Sequence, residues 1–293
     1  SMSAKAGMDI LLQAYAGVAS PNSGGPQING EPVIDYTAAL LMAWGIATAL
    51  YYREKTGKGQ RLDVSLLQAA LVIQNNSMNH IDAVDGWRQE FVEYLKVAFS
   101  RGDSLDTMIQ HREQLKPTVA PPYYGLFATE NGYLALAAGG LSLRRKVADI
   151  LSIDDPGLAD LGFEPDDIMV YTQSIREQVM EKLGTKTTAQ WQERFEAEGV
   201  PAGAVNFREQ VLDDSQCWDN EYLVRLEHDQ VGAMTVVAPP VKFGTTPLSV
   251  RGPTPTLGRH TADVLTELGA DDAEIDALCA AGKIVIHSQG SAQ

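Results

Sequence analysis

The sequence predicts an α/β fold in at least two parts, and three observations carry that expectation. Asn131-Gly132 separates two runs rich in β-forming residues, 123–129 and 133–138, and an Asn-Gly step between such runs is a strong hairpin signal. Helical periods flank it on both sides. A second alternating pair, 222–227 and 233–238, turns at 229–232 and closes the list of strands. The 293 residues are enough for one large or two medium domains.

Taken in order, residues 9–18 form a short amphipathic helix with Asp9 as its cap and apolar positions at Ile10, Leu11, Ala14, Tyr15 and Val18. Residues 20–30 are rich in Pro, Ser, Asn and Gly and read as a loop. An extended segment, 31–34, leads to Asp35 at the N-cap of an apolar run, 38–52. That run is apolar nearly all round, so it is expected to be buried between other elements. Its charged flanks, and a length short of the ~18–20 residues a span requires, argue against a membrane helix. The helix containing Leu71 is expected to continue to about Asn79, and 81–116 reads as a polar, mixed connection with helical stretches but no clean period. After a rigid extended segment, 118–122, come the hairpin and helices at 143–151, 167–183 and 188–198, the last with Thr187 or Thr188 as cap and Gly199 as stop. A short strand (200–205), short helices (207–212, 215–220), the second strand pair, a proline-rich extended stretch (239–257) and two closing helices (258–268, 271–280) complete the chain.

Composition narrows the function. Hydrophobic content of 44 % and charged content of 21 % are ordinary for a soluble globular protein. A net charge of −15 makes nucleic acid or an anionic membrane surface poor partners. Cys217 and Cys279 are too few and too far apart for a disulfide framework or a metal site, so a reducing compartment, the cytoplasm, is expected. No signal peptide is evident, and Ser1-Met2 reads as a tag remnant before an initiator Met. His80, His111, His228, His260 and His287 show no metal-binding spacing, and no metal is expected. The basic residues within 53–61 read either as a solvated turn or as a contact for phosphate.

The ordered series Ile34-Asp35, the apolar run, Arg53-Glu54-Lys55-Thr56-Gly57-Lys58-Gly59-Gln60 and Leu62-Asp63-Val64-Ser65-Leu66-Leu67-Gln68-Ala69-Ala70-Leu71 resembles the class III CoA-transferases. This CaiB/BaiF-type family also contains acyl-CoA racemases. The likeness extends through Gly199-Val200-Pro201-Ala202-Gly203, Pro239-Pro240-Val241-Lys242-Phe243 and the segment 257–278, and is poor only over 81–116. The resemblance implies that the chain is the C-terminal portion of such an enzyme. Residues 1–80 and 207–293 are then parts of a large Rossmann-like domain, 81–117 a connection, and 118–206 a smaller α/β domain. The family's long N-terminal nucleotide-binding half has no counterpart before Asp9, so either a separate N-terminal half or an interlocked homodimer is implied as partner.

The resemblance also implies a function: transfer of coenzyme A from an acyl-CoA to a carboxylic acid, with Asp35 as nucleophile. Asp9, beside it, is either a plain helix cap or a group orienting water or the thiol. The helix N-terminus is expected to hold Asp35 ionised and to lend its N–H groups to the developing oxyanion. Gly139 and Gly140 match the place of a glycine loop that covers the site, although Ala137, Ala138 and Leu141 replace the family's usual glycine run; a simple turn is the other reading. Family racemases carry a His where this chain has Met8, which cannot exchange a proton, so racemase chemistry is disfavoured. A non-catalytic, partner-dependent subunit remains as a third reading.

Overall fold

The computed structural model describes residues 6–20, 25–117, 120–160 and 163–287, and the segment 118–122 is therefore only partly covered. The chain folds as two compact units, Ser1–Ala120 and Pro121–Gln293.

The first unit is helical. It contains α1 (Asp9–Tyr15), α2 (Val33–Thr56), α3 (Leu66–Ile73), α4 (Asn75–Met78), α5 (Gly86–Arg101) and α6 (Leu105–Leu115). The stretch read as a connection thus carries two regular helices, separated by Gly102 in the left-handed region and by the Ser104 cap of α6. α2 is longer than the apolar run alone. It begins at Val33, because Pro32 supplies a fixed φ of −76° and has no N–H to satisfy, and it ends at Gly57, whose φ of 70° suits a residue without Cβ. The expected extended segment before Asp35 is therefore helix in its last two residues, and Asp35 is the third residue of α2 rather than its cap.

The core of this unit is small. Ala16, Ile34, Ala69 and Ala70 are buried, with Leu12, Val33, Ala38, Leu41 and Leu66 among the residues packed around them. Two expectations are corrected here. α2 is not buried: Leu40 and Trp44 are 69 % and 71 % exposed, and Ile34 is its one buried residue. α1 does not bury the face its apolar residues suggest: Ile10, Leu11 and Tyr15 are exposed, and its buried residue is Gln13. The physical reason is the same in both. Only one side of each helix meets a neighbour among the described residues, and the remaining apolar surface has none. At 24 residues α2 also reaches the length of a membrane span, so the argument from shortness does not hold.

The second unit opens with a three-stranded antiparallel sheet, β1 (Tyr124–Thr129), β2 (Gly132–Ala137) and, later in the chain, β3 (Ala202–Ala204). β1 pairs with β2 through Thr129↔Gly132 to Tyr124↔Ala137, so the two-residue connection is Glu130-Asn131 and Gly132 is already the first residue of β2, one position later than the Asn131-Gly132 step suggests. Between β2 and β3 lie α7 (Leu141–Leu151), α8 (Pro156–Ala159), α9 (Ile168–Leu183) and α10 (Thr188–Ala197). Phe127, Leu134 and Leu136 of the sheet pack into one continuous core with Val147, Ile175, Val179, Trp191 and Phe195 of the helices. Strand alternation leaves Tyr124, Leu126 and Tyr133 exposed on the other face.

Local chemistry explains the helix ends. Asp167 accepts from the N–H groups of Met169 and Val170 at 2.8 and 3.1 Å, and Thr187 with Gln190 forms a capping box at α10. Asp155, capping α8, is buried, yet its carboxylate accepts from the Tyr123 hydroxyl at 2.7 Å, from the Tyr171 hydroxyl and from the Gly157 N–H. Gly157 permits this: a Cβ there would lie 2.3 Å from the Tyr171 hydroxyl. The unit ends with α11 (Arg208–Leu212), α12 (Ser215–Asp219), the antiparallel hairpin β4 (Leu223–His228) and β5 (Gly232–Val237), α13 (Thr261–Glu267) and α14 (Asp272–Ala280).

Candidate active site

Four N–H groups at the start of a helix have no partner within it. In α2 every one is taken. Val33 donates to Glu31 O at 2.8 Å and Tyr36 to Pro32 O at 3.0 Å. Ile34 and Asp35 donate to a single atom, Oδ2 of Asp9, at 2.8 and 3.1 Å. Asp9 therefore caps α2, not its own helix, which has Met8 at its N-cap and no side-chain cap. The structure brings Asp9 and Asp35 together in this way. It also removes the expected role of the α2 N–H groups as oxyanion donors, because Asp9 already occupies two of them.

The other Asp9 oxygen, Oδ1, accepts from the Gln13 amide. Partial burial is the largest influence on the Asp9 carboxyl and pushes its pKa up. The hydrogen bonds from Gln13, Asp35 and Ile34 together outweigh it, so the carboxyl titrates below the usual carboxylate range. The Asp35 side chain is exposed and engages no hydrogen bond or ion pair with the described residues. A carboxylate held on an ordered turn, with its oxygens open, is available to a reactant.

Gly139 and Gly140 belong to the second unit, where the end of β2 meets α7. Gly140 is the N-cap of α7. Both glycines are exposed, neither has a positive φ, and a Cβ on either would meet nothing within 4 Å. Nothing in this chain's own packing requires glycine at these positions.

Of the basic residues within 53–61, Arg61 pairs with Asp63 at 2.7 Å and Lys55 lies 5.5 Å from the centre of the Tyr51 ring. Exposed pairs of this kind contribute little. The histidines have separate local roles: His111 stacks on Tyr94, and His228 Nδ1 accepts from the Gln230 N–H in the β4–β5 turn. Cys217 and Cys279 are free. Among the described residues, no group of three His, Cys, Asp or Glu side chains converges as a metal site.

Sequence reasoning did not single out Gln13 or the Tyr123–Asp155–Tyr171 cluster. A signal existed for each. Gln13 lies four residues after Asp9 on one helix face, and Asp155-Pro156 reads as a cap followed by proline at the first helical position.

A family model described as CoA-transferase family III matches residues 1–261. The chain belongs to this family. It is 27 % identical over 292 residues to the human succinyl-CoA:glutarate CoA-transferase, covering 98 % of this chain and 61 % of the relative. It is 24 % identical to the formyl-CoA:oxalate CoA-transferase of Streptomyces avermitilis, covering 94 % and 66 %. The chain thus spans about six-tenths of the length of the curated relatives it matches. Among solved structures it resembles a CaiB/BaiF family protein from Brucella suis (TM-score 0.62, 21 % identity, 92 % of this chain and 64 % of that one). It also resembles Rv3272 from Mycobacterium tuberculosis (TM-score 0.65, 19 % identity, 89 % and 64 %). At those identities the two structures establish the fold of this family III member and no more.

Proposed function

We propose that this chain transfers coenzyme A between carboxylic acids, with Asp35 as the nucleophile. The observation that carries the reading is Asp35 itself: an unpartnered, exposed carboxylate on a clamped helical turn, within a chain that belongs to CoA-transferase family III. A thioester is an activated acyl group, and a carboxylate can attack its carbonyl carbon. Attack by an Asp35 oxygen forms a mixed anhydride as the C–S bond breaks and CoA leaves as thiolate. The thiolate then attacks the aspartyl carbonyl, and the donor's acid departs as its carboxylate. The acceptor carboxylate repeats both steps in reverse on the aspartyl-CoA thioester, regenerating Asp35. Carboxylate enters and carboxylate leaves, so the cycle needs no net proton transfer, no metal and no redox group.

The oxyanion of each tetrahedral step needs donors other than the first turn of α2. Gly139 and Gly140 of the second unit remain the glycine loop that the family resemblance implies for the substrate, and their backbone carries no side chain that would keep a ligand away. Relatives named for succinate, glutarate, formate and oxalate make short carboxylic acids the first donors and acceptors to try. Met8 offers no acid or base group, which speaks against racemisation. The acyl-CoA substrate, the absence of metal and the cytoplasm are parts of the same proposal.

A second reading, a partner-dependent subunit, is favoured by the bare apolar surface of α2. We propose that a further polypeptide covers it, either a second copy in an interlocked homodimer or a chain supplying the rest of the length seen in relatives. Protein cover suits α2 better than lipid, because Asp35 in its first turn is the group the reaction needs. Alone, the chain is expected to bind CoA more weakly than micromolar in calorimetric titration, since 38 acidic side chains outnumber 23 basic ones and the net charge is −15.

The test is Asp35→Asn in the active assembly. Transfer between succinyl-CoA and glutarate, and the same for formyl-CoA and oxalate, is expected to fall by at least about a thousandfold. Full activity of Asp35→Asn would overturn the reading.

A further inference from the structure

Gln13 is 1 % exposed, and with Asp155 it is one of two buried polar side chains among the described residues. Both ends of its amide are engaged. Nε2 donates to Asp9 Oδ1 and to the Asn29 carbonyl at 3.3 Å, while Oε1 accepts from the Asn29 N–H at 2.8 Å. The orientation is fixed, since a flipped amide would set two donors against each other at Asn29 N. Asn29 in turn accepts from the Glu31 N–H through Oδ1 at 3.0 Å. One buried amide therefore ties together α1, the loop entering α2 and, through Asp9, the N–H groups of Ile34 and Asp35. A buried amide costs free energy unless all its hydrogen bonds are made, so the site tolerates few other arrangements.

We propose that Gln13 and Asp9 are positioning residues: together they clamp the first turn of α2 so that Asp35 is held ready, and Asp9 acts by accepting hydrogen bonds rather than by exchanging protons. Three donors, all from this chain, converge on the two oxygens of Asp9. A carboxylate so engaged is a poor base, and its lowered pKa agrees with that. The catalytic consequence rests on Asp35 as nucleophile; the clamp does not.

The test uses the full chain in two measurements. Backbone hydrogen exchange, read by NMR, reports the Ile34 and Asp35 amides. Losing a cap accelerates local opening, so Asp9→Ala and Gln13→Leu are each expected to exchange about fivefold faster at these two amides. The paired change Asp9→Asn with Gln13→Glu reverses the donor and acceptor between positions 9 and 13 and keeps an acceptor for Ile34 and Asp35, but it sets an oxygen at position 13 against the Asn29 carbonyl, so it is expected to bring exchange only part of the way back towards the native rate. In the active assembly, Asp9→Asn alone should lower kcat with little change in KM for acyl-CoA, and adding Gln13→Glu should recover part of it. Unchanged exchange in Gln13→Leu would overturn the clamp. A paired variant that regains slow exchange but no kcat would show that Asp9 moves protons. If Asp35→Asn stayed active, the nucleophile would be wrong while the exchange result still decided the clamp.

Discussion

The helical unit that holds Asp35 and the sheet-and-helix unit beginning at Pro121 differ in how they treat apolar side chains. Around Phe127, Leu134 and Phe195, sheet and helices close on one another, and sixteen residues share one buried cluster. Around Ile34 only four do, and the long apolar surface of α2 stands open. The first arrangement closes its inner face by itself, although Tyr124, Leu126 and Tyr133 on the outer face of the sheet stay exposed. The second is stable at one point, where Asp9, Gln13 and the start of α2 meet, and elsewhere presents surface that stays bare within the described residues. The group proposed to react thus sits on the polar clamp of the less covered unit, where order comes from hydrogen bonds rather than from a packed core.

Equal truncations in the two regions should have unequal effects. Phe195→Ala is expected to destabilise the chain by about 3–5 kcal/mol in denaturant unfolding, because the side chain is fully buried. Leu40→Ala, at an exposed site on α2, should stay within about 0.5 kcal/mol of the parent chain. If Leu40→Ala were as costly as Phe195→Ala, α2 would be covered by this chain itself and the comparison would fail.

Asp155→Ala should be next in size. It strands the buried Tyr123 hydroxyl, at a cost of about 1–3 kcal/mol for that group alone. The same cluster gives an alkaline signature. Burial, reinforced by the bond to Asp155, pushes the Tyr171 hydroxyl from its ordinary 10 up to about 12, and it pushes Tyr123 up as well. The folded state therefore keeps a proton that the unfolded chain loses. The stabilisation is fully present below pH 10 and declines as pH rises towards 12. Tyrosinate absorbance during alkaline titration should show two late-titrating tyrosines, and Asp155→Asn should bring them down.

The smallest effect on stability belongs to Gly139→Ala, which should leave the unfolding midpoint within experimental scatter because a Cβ there meets open space. A loss of transfer activity without a loss of stability would support a part for this glycine loop in binding substrate. Unchanged activity would leave it a simple turn.

What the sequence disclosed follows the same division. The β1–β2 hairpin, the capped start of α10 and the helices around them were legible because their determinants are local: the Asn131-Gly132 step between two β-rich runs, a threonine at 187 or 188, and Gly199 after the helix, while the reciprocal bond from Gln190 came from the structure. The family's motif residues marked Asp35. The clamp was not legible, because its partners lie 25 residues apart and neither is unusual alone. The exposure of Ile10, Leu11, Tyr15 and α2 was not legible either. Periodicity reports that a face is apolar, but it does not say whether the cover comes from this chain or from another.

The central claim is that Asp35 carries the acyl and CoA groups in turn, and trapping tests it most directly. The full chain, with and without a second polypeptide supplying the remaining length of its relatives, is incubated with succinyl-, glutaryl- and formyl-CoA in the presence of hydroxylamine and then digested for mass spectrometry. The account predicts a hydroxamate on Asp35, formed during turnover and lost in Asp35→Asn. Turnover with no modification at Asp35, or with the hydroxamate on another carboxylate, would contradict it.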